Sequence, residues 1–194
     1  MLRLSDSVYG STSVAAIGVA AHECGHAIQH DVGYAPLKLR SASVPVANIG
    51  SKLSWPLILI GLMLGNVGLA RAGVFLFTFV VLFQLITLPV EFNASSRALT
   101  VLEQSGMLGG EELQGAGKVL KAAALTYVAA LFSSILQLLR LFLLTQRNSR
   151  RRRLPVIGSG VLVIQGLPNF IDNQVFPFFV SYAKISMFRG KEMP

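Results

Sequence analysis

The sequence predicts an all-α integral membrane protein, a helical bundle with at least three spans. Three observations carry that prediction. Of its 194 residues 53% are apolar and only 13% are charged, against about 25% charged in an average soluble domain. Mean hydropathy is +0.60. Three segments of 17 or 18 residues carry no charge. At 1.5 Å per residue each covers about 26 Å, close to a hydrocarbon core of about 30 Å. The shortage of charge excludes disorder, and the single Cys24 excludes a disulfide scaffold.

The elements follow in chain order. Ser11, Thr12 and Ser13 are candidate caps for a helix that runs through Val14 to Ala21 into His22-Glu23-Cys24-Gly25-His26 and on to His30. Residues 31–52, with Gly33, Pro36, Pro45 and Gly50, read as a loop with short helical pieces. Leu53–Ala70 and Val74–Val90 are the first two spans. Only Arg71, Ala72 and Gly73 separate them, which predicts a tight helical hairpin turning there. Trp55 and Pro56 read as an interfacial anchor at a helix start. The phenylalanines 75, 77, 79 and 83 read as lipid-facing or packing residues. Glu91–Ser105 continues the second span as a helix stopped by Gly106, and residues 109–118 read as a Gly-rich acidic connector. Ala122–Leu139 is the third span.

The chain divides at about residue 146 into a membrane core, 1–146, and a tail, 147–194, made of a basic run and an apolar stretch. Leu154–Ile171 is uncharged but interrupted by glycines and Pro168, and Asn173–Ala183 is aromatic. Three forms remain open for this tail: a broken fourth span, an interfacial segment or a poorly ordered end. Net charge is +8, and five of the 17 basic residues are Arg147 and Arg150 to Arg153. Such a run beside an apolar helix suits an anionic lipid surface. No folded or aromatic-rich binding module accompanies it, so nucleic acid is not expected as a partner. With three spans the basic residues up to Arg153 divide seven against six between the two faces, the arginine run included and Arg140 left within a span, so orientation stays open.

His22-Glu23-Cys24-Gly25-His26 is the stretch that carries chemistry. Residues four apart on a helix stand one above the other, so His22 and His26 can point both imidazoles at one ion. Zinc suits two imidazoles, a third protein ligand and an open position for water. Glu23, next to His22, can take the proton of that water and hand it to a leaving amine. The plain alternative is a pair of helix histidines satisfied without metal. His30 lies about 12 Å along the axis from His22 and cannot share its ion. A metzincin would need a histidine six residues after His26, where Val32 stands.

The third ligand is therefore expected to be a carboxylate. Beyond Glu23 the chain offers Asp6, Asp31, Glu91, Glu103, Glu111, Glu112, Asp172 and Glu192. A ligand must lie on the same membrane side as the histidine helix, so an even number of crossings must separate them. The hairpin 53–90 makes two crossings and delivers Glu91 at its end. A carboxylate at the membrane boundary is costly without a partner, which also favours Glu91. Cys24 faces away from the histidines and reads as a small core residue, and Gly25 as a place where another backbone comes close. Tyr34, Arg97 and Tyr127 are each able to polarise a carbonyl or hold an oxyanion, but packing or interface anchoring is the expected role of each, and none is counted as catalytic.

HECGHAIQH, the following YAPLKLRSASVPV, and LPVEFNASSRAL together resemble the YugP-like family of membrane neutral zinc metallopeptidases. The resemblance runs from about Leu2 to about Leu144 and includes TYVAAL around Tyr127. It implies a bacterial plasma-membrane protease with His22, His26 and Glu91 as zinc ligands and Glu23 as base, acting on a polypeptide at or near the bilayer. The order of motif, hairpin and glutamate is also similar to the heat-shock membrane protease and CAAX prenyl protease group. That group has an aspartate four residues after the glutamate, where Ser95 stands here, and Asn93 stands where relatives often have aspartate. Family members carry a further amino-terminal membrane helix and enter the motif helix through a strand. This chain begins at MLRLSDSVY, within that strand, so a shortened, catalytically inactive zinc-binding membrane module is the alternative function. Oligomeric state is not legible.

Overall fold

The computed structural model describes residues 4–150. The sequence readings of Arg151–Arg153, Leu154–Ile171 and Asn173–Ala183 lie outside the described residues. Five helices make up the described part: α1 (Asp6–Tyr9), α2 (Val14–Asp31), α3 (Ala35–Met63), α4 (Val67–Ser105) and α5 (Gly110–Arg150). There is no strand among the described residues, so the expected amino-terminal strand is replaced by the single turn of α1 and the segment leading to Ser13. That serine caps α2, its Oγ accepting from the Ala16 N–H at 3.2 Å.

Residues 31–52 are not a loop. Gly33, at φ +62°, and Tyr34 turn the chain, and α3 begins at Ala35 with Pro36 in its first turn. A proline fits there because its missing N–H would be unpaired anyway. Pro45 and Pro56 lie inside the helix, where each costs about 3 kcal/mol in an isolated helix. Packing along α4 outweighs that penalty, and the apparent breakers are absorbed. Trp55 consequently sits mid-helix, its ring edge-on to Phe77 with centroids 6.3 Å apart, rather than at a helix start.

The hairpin turn also differs from the expected place. It is formed by Leu64, Gly65 and Asn66, not by Arg71–Gly73. Gly65 adopts φ +63°, and the Asn66 side chain accepts from the Leu69 N–H at 3.2 Å, capping α4. The lone charge of Arg71 looked like a boundary, but turn chemistry decides where a chain reverses, and Arg71 is an exposed residue of the first turn or two of α4. Gly73 has the opposite job. A Cβ there would lie 2.7 Å from the Ser54 carbonyl and 2.6 Å from Ile58, so the glycine lets α3 and α4 touch backbone to backbone.

The acidic connector is likewise helical. Glu112 reaches back to accept from the Gly109 N–H at 3.2 Å, a capping contact that starts α5. Gly106, at φ +64°, ends α4 as expected.

Helices α3, α4 and α5 are each long and apolar enough to cross a membrane. Their outward residues, among them Leu53, Ile60, Phe75, Leu82, Phe132 and Leu136, are exposed in the isolated chain, as lipid-facing positions are. Two apolar clusters hold the bundle. One joins Ile58, Phe77, Val81, Leu131 and Leu141 between the spans. The other joins Ala21, Ala98, Leu102, Ala116 and Leu120 where α2 lies over the far end of α4 and the start of α5. At 1.5 Å per residue, position 91 is about 36 Å from the start of α4, just past a hydrocarbon core of about 30 Å. The place where α2 meets α4 is therefore near one membrane surface.

Candidate metal centre

Small residues bring α2 onto α4. Gly18, Ala21, Gly25 and Gln29 lie on the buried stripe of α2; Gly18 meets Ala116 of α5, while Gly25 meets Ala94 of α4, on the same buried side as Glu91, Ala98 and Leu102. Contact is tightest at Gly25, where an added Cβ would collide with the Ala94 carbonyl. The glycine thus serves the close backbone approach expected of it, one turn of α4 beyond Glu91. His22 and His26 flank this stripe, and the approach puts their rings beside the Glu91 carboxylate.

His22 Nε2 lies 3.2 Å and His26 Nε2 3.7 Å from Glu91 Oε2. The two imidazoles meet edge to face with centroids 4.7 Å apart. A possible ligand atom from each of the three residues lies within 4.8 Å of the other two. Donors around a tetrahedral zinc at about 2.0–2.2 Å stand about 3.4 Å from each other. Two imidazole nitrogens and a carboxylate oxygen at these separations fit such an ion, and that donor set leaves a fourth position free. Among the described residues this is the group of His, Cys, Asp and Glu side chains close enough to hold a metal; His30 is exposed and outside it.

Each member of the cluster has a partner on its far side. His22 Nδ1 is 3.2 Å from Ser95 Oγ, and His26 Nδ1 is 3.0 Å from Gln29 Oε1. Glu91 is only 3% exposed; its second oxygen, Oε1, is 3.4 Å from Arg40 Nη1. The Tyr127 phenol on α5 lies near this carboxylate, within the field of Glu91, Arg40 and Glu23. Glu23 is half-buried on α2 beside His22. Burial disfavours the His26 imidazolium, but the adjacent Glu91 carboxylate and the Gln29 oxygen outweigh burial and the repulsion of Arg40. The His26 pKa is accordingly raised above its ordinary 6.5 in the metal-free site.

A family profile described as "Putative neutral zinc metallopeptidase" matches residues 1–146. The chain belongs to that family. Among curated proteins, "Putative membrane protease YugP" of Bacillus subtilis (strain 168) is 49% identical over 150 residues, 77% of this chain and 66% of the relative. The chain thus spans about two thirds of that relative's length. No solved structure matches it at a significant level. Membership in the zinc metallopeptidase family, three helices able to cross a membrane and the two-histidine, one-carboxylate cluster agree with one another.

Sequence reasoning assembled His22, His26 and Glu91 but passed over Arg40 and Gln29. Arg40 fell in the stretch read as a loop, where no periodicity could aim it. Gln29 was findable: three residues after His26 on one helix, it shares the histidine face. Tyr127, which packing alone explains in the sequence, lies near Glu91 in the fold. Arg97 does not reach the cluster ligands; its Nε donates to Asn93 Oδ1 at 2.8 Å. Cys24 is a free, half-buried thiol.

Proposed function

We propose that this protein is a membrane-embedded zinc metallopeptidase of the bacterial plasma membrane, with His22, His26 and Glu91 as metal ligands and Glu23 as general base. The observation that carries the proposal is the convergence of both Nε2 atoms on Glu91 Oε2 at 3.2 and 3.7 Å. Zinc bound there would lower the pKa of a water and polarise a scissile carbonyl. The residues of the chain do the rest. Glu23 takes a proton from the attacking water on its carboxylate and delivers it to the departing amine, so that the C–N bond breaks with a neutral leaving group. Arg40 holds Glu91 through its other oxygen, leaving Oε2 for the metal. The substrate is a polypeptide at or near the bilayer, because a site anchored on a spanning helix stays at the membrane surface.

The test uses the full chain purified in detergent. Wild type is expected to hold about one zinc per chain and to cleave casein, and Glu91→Ala to lose both. Zinc bound without cleavage by wild type would replace this reading with the inactive zinc-binding module.

A further inference from the structure

We infer that Gln29 is the positioning residue that fixes the tautomer of His26 and so presents Nε2 to the metal. The inference rests on the reading of His22, His26 and Glu91 as the metal site.

Gln29 is fully buried, at 0% exposure, and every bond its amide makes is defined. Its Nε2 donates to the Val90 carbonyl at 2.8 Å and to Asn93 Oδ1 at 3.0 Å. Two acceptors on one side identify that atom as the NH2 group, since an amide oxygen there would face two oxygens and bond neither. Asn93 cannot turn to relieve this, because the same Oδ1 accepts from Arg97 Nε at 2.8 Å. The other Gln29 atom is then Oε1, an acceptor only, and it meets His26 Nδ1 at 3.0 Å. His26 must carry its proton on Nδ1 to make that bond. The neutral ring is left with its lone pair on Nε2, the nitrogen that faces Glu91 Oε2.

The relay runs from the Arg97 guanidinium through Asn93 and Gln29 to His26, and each member has one allowed orientation. His22 lacks such a constraint: the hydroxyl of Ser95 is able to donate or accept and does not by itself choose a tautomer. Of the two histidines, His26 is the one whose tautomer the fold dictates.

Gln29 also ties α2 to α4, so the test must separate tethering from tautomer control. Gln29→Met removes the donors to Val90 and Asn93 together with the acceptor for His26 Nδ1–H, whereas Gln29→Glu keeps that acceptor and retains at most one donor, as a protonated carboxyl group facing Val90 and Asn93. Zinc affinity of the full chain in detergent, measured by chelator competition, is expected to fall about 10- to 100-fold in Gln29→Met and to stay within a few-fold of wild type in Gln29→Glu. Equal losses in both would assign Gln29 a tethering role and overturn the inference.

A second measurement needs no variant. Nitrogen NMR of metal-free wild type labelled at histidine, at a pH where the ring is neutral, should show His26 protonated on Nδ1. Protonation on Nε2 would overturn the inference, whether or not the protein proves to be a peptidase. Loss of zinc from Glu91→Ala tests the metal site separately, so the two failures are distinguishable.

Discussion

Replacing Gly25 with alanine should disable the metal centre without touching a ligand. An added Cβ would stand 3.0 Å from the Ala94 carbonyl carbon, 3.2 Å from its Cα and closer still to its oxygen. Those atoms are helix backbone in a residue with no exposed surface, so no side-chain rotation can clear them. Ordinary carbon contacts lie at about 3.5–4.0 Å, and α2 and α4 must separate by roughly 0.5–1 Å to restore them. Metal sites tolerate about 0.2 Å in ligand distance, and His22, His26 and Glu91 sit on the two helices being pushed apart. Overpacking of this kind costs about 1–3 kcal/mol. If that cost is borne by the closed α2–α4 contact, zinc affinity falls roughly 5- to 150-fold. Chelator competition on purified Gly25→Ala would read the change, with Gly117→Ala as the matched control. At Gly117 a Cβ meets only the Leu99 methyls at 3.7 and 3.9 Å, and alanine should stabilise α5 by up to about 1 kcal/mol. Wild-type zinc affinity in Gly25→Ala would refute the close-contact reasoning.

Other outcomes follow from the same geometry. Ser95→Ala removes the Oγ contact to His22 Nδ1 at 3.2 Å; a net loss of about 1 kcal/mol predicts roughly a fivefold weaker zinc affinity. Arg40→Met removes the charge 3.4 Å from Glu91 Oε1, leaving the carboxylate poorly compensated. Metal-free melting temperature should drop, and zinc affinity should fall about 10- to 100-fold. In the metal-free protein the raised His26 pKa contributes stability that is fully present below 6.5 and is lost as pH rises through the raised value. Thermal melts in chelator should therefore weaken with rising pH across that window. Zinc-loaded protein should show the opposite trend, because the metal requires the neutral ring.

The site was more legible in the sequence than the helix boundaries around it. His22, Glu23 and His26 stand out in the sequence because a histidine pair four residues apart with a glutamate between is a recognisable helical pattern. Glu91 followed from counting membrane crossings, an argument that survives a misplaced turn. The turn itself was misread because Arg71 marks a charge while Gly65 and Asn66 supply the left-handed backbone and the cap. Pro36, Pro45 and Gly50 suggested a loop over 31–52, yet Pro36 opens a helix and Gly50 is a contact point, 2.8 Å from the Leu76 carbonyl to an added Cβ. Local propensity was overridden there by packing along α4. With the loop went any chance of aiming Arg40. Gln29 was missed for a different reason: its role depends on which acceptors surround its amide, and Val90 and Asn93 are remote in sequence.

As general base rather than metal ligand, Glu23 should be dispensable for zinc binding and required for cleavage. The most direct test is zinc content and casein cleavage of Glu23→Gln beside wild type, both purified in detergent. About one zinc per chain is expected in each protein, with cleavage lost in the variant alone. Cleavage undiminished in a zinc-loaded Glu23→Gln would contradict this role.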